Sequence, residues 1–357
     1  MKNVFPRGRF RVVVRAQPLG LALAALLLVP SLAGCVAQTE WAREATGLST
    51  LAGRGLTGAG VRLAIIDTGI DPDHPAFAGR TVRWADLVNG QGKPYDDNGH
   101  GTHVAGLVVG ATGLWAEILS GVKLAPSAPG VELLVIKAIR AGGEGSDTTV
   151  ARAVTTAKTQ GAHVILMSLG GAKGLLLGTE TENAVSDALR AGVFVVAAAG
   201  NREGGGNGDV ASPASVKDVI AVGAVDRNLR IASFSQRGDN GGVVGGLVGA
   251  RQNPDRKPEI VAPGVGILGP WRGGQYATAD GTSQAAPYVA AALALLLEAK
   301  PEFKREGSRA GHIGAVKSAL AASAQKIGPL AGASGLAHDD RYGYGLLRAD
   351  RWLDSLR

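Results

Sequence analysis

Cysteine is the scarcest residue type in this 357-residue chain, because Cys35 is the only one. A single cysteine excludes an intramolecular disulfide framework. Aromatic residues make up only 4% of the chain, so the core is expected to consist of aliphatic side chains. Glycine is abundant instead, at 54 residues, and suits tight strand-to-helix turns better than long amphipathic helices.

Acidic residues are absent from residues 1–34, which contain five basic ones. The remainder of the chain has 32 basic and 30 acidic residues, so its net charge is +2 rather than the +7 of the whole chain. The basic character therefore belongs to the N-terminal segment. Nucleic acid is not expected as a partner, because the chain after residue 34 has almost no excess of positive charge to attract phosphate groups.

The N-terminal segment is predicted to be an export signal. It is basic as far as Arg15 and then apolar from Leu19 to Val29. An apolar run this short falls below the ~20 residues that a transmembrane helix needs. The tetrapeptide Leu32–Cys35 resembles a bacterial lipobox, in which the cysteine receives a diacylglycerol group before cleavage in front of it. The alternative is an ordinary signal-peptidase site with a chance cysteine.

The lipobox reading divides the chain into a lipoprotein signal peptide (1–34), a short tether (35–40) and a single domain (41–357). It predicts an exported protein, anchored through Cys35 to an extracytoplasmic bacterial membrane face, at the cell surface or the outer membrane.

Apolar segments alternate with helical patterns after residue 40, which predicts an α/β fold with a mainly parallel sheet and helices on both faces. The predicted strands are Val61–Ile66, Val131–Ile136, Val164–Leu169, Val193–Ala199 and Val219–Val225. The predicted helices run from Ser146 or Asp147 to Gln160, over Ala184–Arg190 and over Ala285–Leu297. The Gly- and Pro-rich segment Gly238–Pro258 is expected to be a surface insertion.

Three segments carry residues suited to nucleophilic catalysis. Asp67 ends a buried strand, where ligands of open α/β sheets gather. His100 lies between glycines at a predicted helix start. Ser283 opens the apolar helix, where backbone N–H groups favour an oxyanion.

Each of these residues has an ordinary alternative reading. An Asp after a strand is often a cap, Gly-Thr-Ser before a helix is a common N-terminus, and His100 with His103 could bind a metal. The order Asp, His, Ser, with separations of 33 and 183 residues, is that of subtilisin rather than of chymotrypsin or the α/β-hydrolases.

The chain resembles the subtilisin-like serine proteases (peptidase family S8, subtilases) from about residue 41 to 350. Three of the family's motifs occur in order: DTGID around Asp67, HGTHVAG around His100 and GTSxAAP around Ser283. Further matches are VILMSLGG (164–171), VAAAGN (196–201), IAVGAVD (220–226) and the GYG segment at 342–349. The resemblance implies a subtilisin-like three-layer α/β sandwich that hydrolyses protein or peptide substrates.

The resemblance also assigns roles. Ser283 would be the nucleophile, His100 the general base and acid, and Asp67 the residue that orients the imidazole. Asn201 would donate to the oxyanion. Substrate contacts would come from a larger set: Ser168, Leu169, Gly170, Glu144, Gly145, Ala198, Ala199 and Gly200.

The sequence departs from the family in three respects. No room for a propeptide remains between Cys35 and the domain. Gln284 replaces the methionine usual after the nucleophile. The loop 111–120 lacks the asparagine-rich pattern of the family's strong calcium loop. No cofactor is expected to be required, and the sequence does not identify a calcium site: Asp71, Asp73, Asp96 and Asp97 could bind calcium or be solvated turn residues.

The expected activity is that of a serine endopeptidase. Two rival functions are a catalytically inactive surface lipoprotein that acts as a binding scaffold, and a non-proteolytic esterase. The intact set of four catalytic residues argues against the first, and the paired substrate segments argue against the second.

Overall fold

The computed structural model describes residues 11–15, 40–113, 117, 120–171, 179–202, 208–241, 249–304, 311–332, 335 and 337–356. Its strands, numbered along the chain, are β1 (Arg11–Arg15), β2 (Arg62–Asp67), β3 (Val82–Asp86), β4 (Glu132–Lys137), β5 (Val164–Met167), β6 (Phe194–Ala198), β7 (Ile220–Val225), β8 (Ile260–Pro263), β9 (Ile267–Trp271) and β10 (Gln275–Ala279). Its helices are α1 (Leu48–Gly53), α2 (His100–Val109), α3 (Asp147–Thr159), α4 (Glu180–Arg190), α5 (Thr282–Ala299), α6 (Gly311–Ser323) and α7 (Ala349–Ser355).

Seven parallel strands form the central sheet in the spatial order β3-β4-β2-β5-β6-β7-β8. Strands β5 to β8 are buried along their whole length, as expected for a parallel sheet covered on both faces. From β2 the chain crosses to the edge strand β3 and returns to β4 beside β2, and it then continues on the other side of β2, outward from β5 to β8. The reversal point therefore lies between β2 and β5, where α/β sheets commonly bind ligands.

Helices complete a three-layer sandwich. The apolar helix α5 packs against strands β5 to β8 and against α2, whereas α3 and α4 pack together and contact the sheet through β2, β4 and β6. The main core cluster consists mostly of Ala, Val, Leu and Ile. The predicted fold class is confirmed, and so is the aliphatic core that the scarcity of aromatic residues implied.

Local signals explain where several elements begin. Helix α3 begins after Ser146, whose side chain accepts a hydrogen bond from Thr149 N, as predicted. Helix α4 begins four residues earlier than predicted, because Thr179 and Glu182 form a reciprocal capping box. The predicted helix Ala285–Leu297 is the interior of α5.

Other parts of the structure differ from the sequence interpretation. Strands β3, β8, β9 and β10 and helices α1, α6 and α7 were not predicted. The four strands and helices α1 and α7 are short, and α6 is longer but lacks a clear amphipathic period. Within the leader, Arg11–Arg15 pairs with β10 in an antiparallel three-stranded sheet with β9. The proposed surface insertion is buried near both ends, where Asn240 is 5% and Lys257 0% exposed.

Candidate active site

The carboxyl ends of three neighbouring strands bring the central polar residues to one edge of the sheet. Asp67 is the last residue of β2, Ser168 follows β5, and Asn201 lies three residues beyond β6. The β2–β5 pairing aligns Ile65 with Leu166, so the same register places Asp67 level with Ser168. Adjacent strands lie about 4.8 Å apart. The backbone at Asp67 therefore adjoins the backbone at Ser168.

Asp67 and His100 form a buried pair. Asp67 Oδ1 lies 2.8 Å from His100 Nδ1, and the two residues are 0% and 3% exposed. The same carboxylate oxygen accepts a hydrogen bond of 2.7 Å from Thr68 N. A carboxylate at Nδ1 favours the tautomer that carries its proton there, which leaves the lone pair on Nε2. The arrangement therefore suits the imidazole to act as a base through Nε2.

The glycines beside His100 are required by close approaches. Gly99 has φ 110°, and a β-carbon there would lie 2.3 Å from Trp271 Cε2. A β-carbon on Gly101 would lie 2.1 Å from the carbonyl oxygen of Gly69. The first turn of α2 consequently sits directly against the loop that follows β2, which is why His100 can reach Asp67.

Ser283 is the second residue of α5 and is 7% exposed. Its hydroxyl donates a hydrogen bond of 2.8 Å to the carbonyl oxygen of Ser168, and the Ser168 hydroxyl donates one of 3.0 Å to the Ser283 carbonyl. The two helices that carry His100 and Ser283 in their first turns, α2 and α5, pack against each other. Ser283 is thus tied to β5, the strand beside Asp67.

Pro287 accounts for one of these two bonds. In a regular α-helix the carbonyl of Ser283 would accept from the N–H of residue 287, four positions later. Pro287 has no N–H, and it lies inside α5. The hydroxyl of Ser168 supplies the missing donor. Sequence reasoning assigned Ser168 to substrate binding and missed this contact, although the spacing of serine and proline contained the signal.

The side-chain amide of Asn201 is oriented by Thr282. Its Oδ1 accepts hydrogen bonds of 2.9 Å from both the backbone N and Oγ1 of Thr282, so the Nδ2 group is left to donate elsewhere. A β-carbon built on Gly281 would lie 3.1 Å from Asn201 Nδ2 and 3.6 Å from Ser283 N. Both N–H groups therefore border the same small space at the positive end of α5. Two donors there are suited to an oxyanion.

The predicted substrate segments lie on either side of β2. Glu144 and Gly145 follow β4, and Ser168–Gly170 follows β5. Both segments extend from the same sheet edge as Asp67, so an extended substrate chain bound between them would pass over the Asp67–His100 pair.

The third predicted segment, Ala198–Gly200, is joined to a loop that the sequence interpretation missed. The carbonyl of Ala199 accepts a hydrogen bond of 2.8 Å from Ala211 N. The Ala211 methyl group would lie 2.9 Å from a β-carbon on Gly170 and 3.0 Å from one on Gly200. Ala211 therefore lies between Gly170 and Gly200, which belong to two of the predicted substrate-contact segments. The side chain of Gln236 also lies against Gly200 and adds a polar group there.

A buried lysine beside the Asp67–His100 pair was likewise not predicted. Lys137 pairs with Asp67 across the β2–β4 ladder and is 0% exposed. Its ammonium donates to the carbonyl oxygens of Thr68 (2.6 Å) and Ile139 (3.0 Å) and to Asp97 Oδ1 (2.6 Å). It therefore holds the end of β2 immediately after Asp67.

His103, considered above as a possible metal ligand together with His100, is buried in α2. Among the described residues, no group of three or more His, Cys, Asp or Glu side chains could hold a metal ion. His103 Nε2 lies 3.2 Å from the carbonyl oxygens of Ile267 and Ala277. Burial, with a smaller contribution from the charge of His100, lowers the pKa of His103 to about 4. His103 is therefore a neutral core residue at ordinary pH.

Three of the four aspartates considered as calcium ligands accept hydrogen bonds within the protein. Asp71 accepts from Asp73 N and from Gly273 N, and Asp97 pairs with Lys137. Asp96 accepts four hydrogen bonds from residues 98, 99 and 102 around the start of α2 and one from Thr68 Oγ1 after β2.

The predicted lipidation site, Cys35, lies outside the described residues. Within the ranges that the structure covers, no helix combines the length and apolar character that crossing a membrane requires.

The chain matches the subtilase family model over residues 58–345. It is 38% identical to Subtilisin Savinase of Lederbergia lenta over 250 residues, which cover 70% of this chain and 81% of that protein. It is 36% identical to M-protease of Shouchella clausii over 297 residues, or 83% of this chain and 65% of the relative. A thermophilic serine proteinase of Bacillus sp. is 39% identical over 238 residues, which cover 67% and 52% of the two chains. The chain therefore belongs to the subtilase family of serine proteases.

Proposed function

We propose that this protein is a serine endopeptidase that cleaves peptide bonds through an acyl-enzyme on Ser283. The observation that carries the proposal is the buried 2.8 Å contact between Asp67 and His100. It lies on β2, next to β5, and the Ser283 hydroxyl is hydrogen-bonded to Ser168 at the end of β5. An isolated buried carboxylate or imidazole would be costly, whereas this pair is arranged for proton transfer.

The proposed reaction uses the four catalytic residues in turn. Ser283 Oγ attacks the carbonyl carbon as its proton passes to His100 Nε2, and Asp67 stabilises the imidazolium that forms. Asn201 Nδ2 and Ser283 N donate to the oxygen that becomes negative. The proton then moves from His100 to the leaving amine as the C–N bond breaks. Water repeats the sequence to release the acid and restore the Ser283 hydroxyl.

Every group in these steps belongs to the protein, so the proposed mechanism requires no cofactor. Activity should therefore survive exhaustive treatment with EDTA at a temperature well below unfolding. Complete loss of activity, restored by calcium, would contradict this part of the proposal.

The proposed substrates are proteins and peptides with an apolar residue before the scissile bond. Three of the predicted substrate-contact residues, Leu169, Ala198 and Ala199, are apolar and are proposed to line the pocket for this residue, and Ala211 lies between Gly170 and Gly200. The Gln236 amide is neutral, so it does not favour a charged substrate residue. Glu144 is only partly buried and is expected to favour basic residues further upstream.

A fluorophosphonate probe followed by a peptide-library digest tests the proposal. Wild type should be labelled on Ser283 and should cleave peptides, whereas Ser283→Ala should do neither. Ser186→Ala is a matched control, because that hydroxyl only donates to Glu182 O within α4. Labelling without peptide cleavage would support an esterase. Absence of both in wild type would support an inactive scaffold.

Membrane anchoring at Cys35 is a separate proposal that rests on the lipobox-like sequence alone. We expect export and retention at an extracytoplasmic membrane face. Cys35→Ser should abolish partitioning into the detergent phase or block processing, and mass spectrometry of the N-terminal peptide should show a diacylglycerol adduct in wild type. An unmodified Cys35 in the mature protein would contradict it.

A further inference from the structure

The carboxylate of Asp96 connects the two backbone segments that carry Asp67 and His100. Its Oδ1 accepts from Thr68 Oγ1 at 2.9 Å, Gly99 N at 2.8 Å and Asn98 N at 3.0 Å. Its Oδ2 accepts from Thr102 N at 2.9 Å and from Thr102 Oγ1 at 2.7 Å. Thr68 follows Asp67 directly, and the other three residues lie within two positions of His100.

The start of α2 depends on these contacts. The N-cap residue, Gly99, has no side chain to satisfy the first backbone donors of the helix. Those donors bond to three other side chains: His100 N to Asn98 Oδ1, Gly101 N to Thr68 Oγ1 and Thr102 N to Asp96 Oδ2. The Thr68 hydroxyl in turn donates to Asp96. The orientation of the first turn is therefore set by side chains joined to the end of β2.

We propose that Asp96 is a positioning residue that holds His100 in register with Asp67. Fixing Thr68 fixes the backbone next to one member of the pair, and fixing residues 98, 99 and 102 fixes the backbone around the other. The negative charge also lies at the positive end of α2, where it is favourable. This inference rests on the proposed function, because it assigns Asp96 a part in the same proton transfer.

Asp86 provides a matched control at the other end of the same loop. Its carboxylate also accepts several hydrogen bonds, from the backbone N of Val88, Asn89 and Gln91 and from the Tyr95 hydroxyl. None of these bonds involves the residues flanking Asp67 or His100. A general need for a well-formed loop would make Asp86→Asn as harmful as Asp96→Asn.

Asp96→Asn is the principal variant, since it keeps the shape but replaces one acceptor with an NH₂ group. We expect kcat to fall roughly ten- to a hundredfold with KM nearly unchanged, as misplacement of a catalytic group does. Asp86→Asn should stay within about twofold of wild type. In an Asp67→Ala background, Asp96→Asn should cost little more, because the pair it positions is already broken.

Nuclear magnetic resonance of the His100 Nδ1 proton gives a readout that does not require activity. A proton shared with Asp67 should give a protected resonance in wild type and in Asp86→Asn, and it should broaden or vanish in Asp96→Asn. If wild type lacks peptidase activity, the proposed function fails while this resonance still tests the positioning. A lowered melting temperature in Asp96→Asn, with kcat and the resonance both unchanged, would overturn the inference.

Discussion

Ser168 and Ser283 hydrogen-bond to each other in both directions, each hydroxyl donating to the other residue's carbonyl. One bond holds the hydroxyl of the proposed nucleophile, and the other satisfies the carbonyl that Pro287 leaves without a helical donor. The start of α5 is thereby tied to the end of β5, on the strand adjacent to Asp67.

The first prediction concerns the hydrogen bond from the Ser168 hydroxyl to the Ser283 carbonyl, which takes the place of a helical one. Ser168→Ala should lower the free energy of unfolding by about 1–3 kcal/mol, because it leaves the buried carbonyl of Ser283 without a donor. Adding Pro287→Ala restores an N–H four residues after Ser283 and should recover part of the loss. Urea unfolding of wild type, both single variants and the double variant measures the coupling. Additive effects of the two substitutions would contradict the account.

The second prediction concerns the oxyanion donor. Asn201→Ala should lower kcat by about 10²–10³-fold, the loss measured for the equivalent donor in subtilisin, with KM little changed. Thr282→Val removes only the hydroxyl that helps to orient the Asn201 amide, so its effect on kcat should be smaller. Steady-state kinetics of both variants test this order. A larger defect in Thr282→Val would contradict the assignment.

The third prediction concerns stability in acid. The folded-state pKa of His103 is lowered to about 4, whereas an exposed histidine titrates near 6.5. Between these values the unfolded chain binds the extra proton, so stability falls as the pH is lowered from 6.5 to 4. The full loss from this group is about 3 kcal/mol.

His103→Gln removes the titrating group while keeping a neutral donor for the two carbonyls. Burial also lowers the pKa values of His74 and His338, so only the difference between variant and wild type reports on His103. Denaturant unfolding at pH 7 and pH 4.5 should show a smaller acid-induced loss in the variant. Equal losses would mean that His103 is not held neutral.

The fourth prediction concerns oxidation. Gln284 is 1% exposed, and its Oε1 lies 2.6 Å from the point where a Gly281 β-carbon would stand, close to Asn201 Nδ2. Met167, the methionine outside the leader, is 0% exposed. Mild peroxide should therefore leave activity largely unchanged.

Gln284→Met should make the enzyme sensitive to peroxide, because oxidation would convert a flexible apolar side chain, packed in a buried position beside the proposed oxyanion site, into a polar and chiral one. Gln284→Leu is the matched control and should remain resistant. Residual activity over a peroxide time course compares the three proteins. Equal resistance of Gln284→Met would show that this side chain does not influence the oxyanion site.

The sequence alone predicted the elements that depend on local signals. The apolar runs Val61–Ile66 and Val164–Leu169, the Ser146 cap and the apolar pattern of α5 identified the parallel sheet and its main helices. The short strands β8 to β10 gave no comparable period, since their burial depends on packing against distant helices.

At the site, the spacing of Asp67, His100 and Ser283 identified three residues that belong to one edge of the sheet. The contacts that hold them were not predicted. The Ser168 hydroxyl serves Ser283 only because β5 lies beside α5, and Asp96 spans two segments only because the loop before α2 folds back onto Thr68. Lys137 lies just beyond the predicted strand Val131–Ile136 and was not singled out, because its buried contacts depend on its pairing with Asp67. These are long-range relationships that no local pattern specifies.

Casein digestion by the domain from Val36 onward tests the central claim most directly. Wild type should degrade casein to many fragments, and both Ser283→Ala and His100→Ala should lose activity to a similar degree, because the catalytic residues act as a unit. Casein degradation by Ser283→Ala at more than a few per cent of the wild-type rate, or none by folded wild type, would contradict the assignment of Ser283 as the nucleophile of a peptidase.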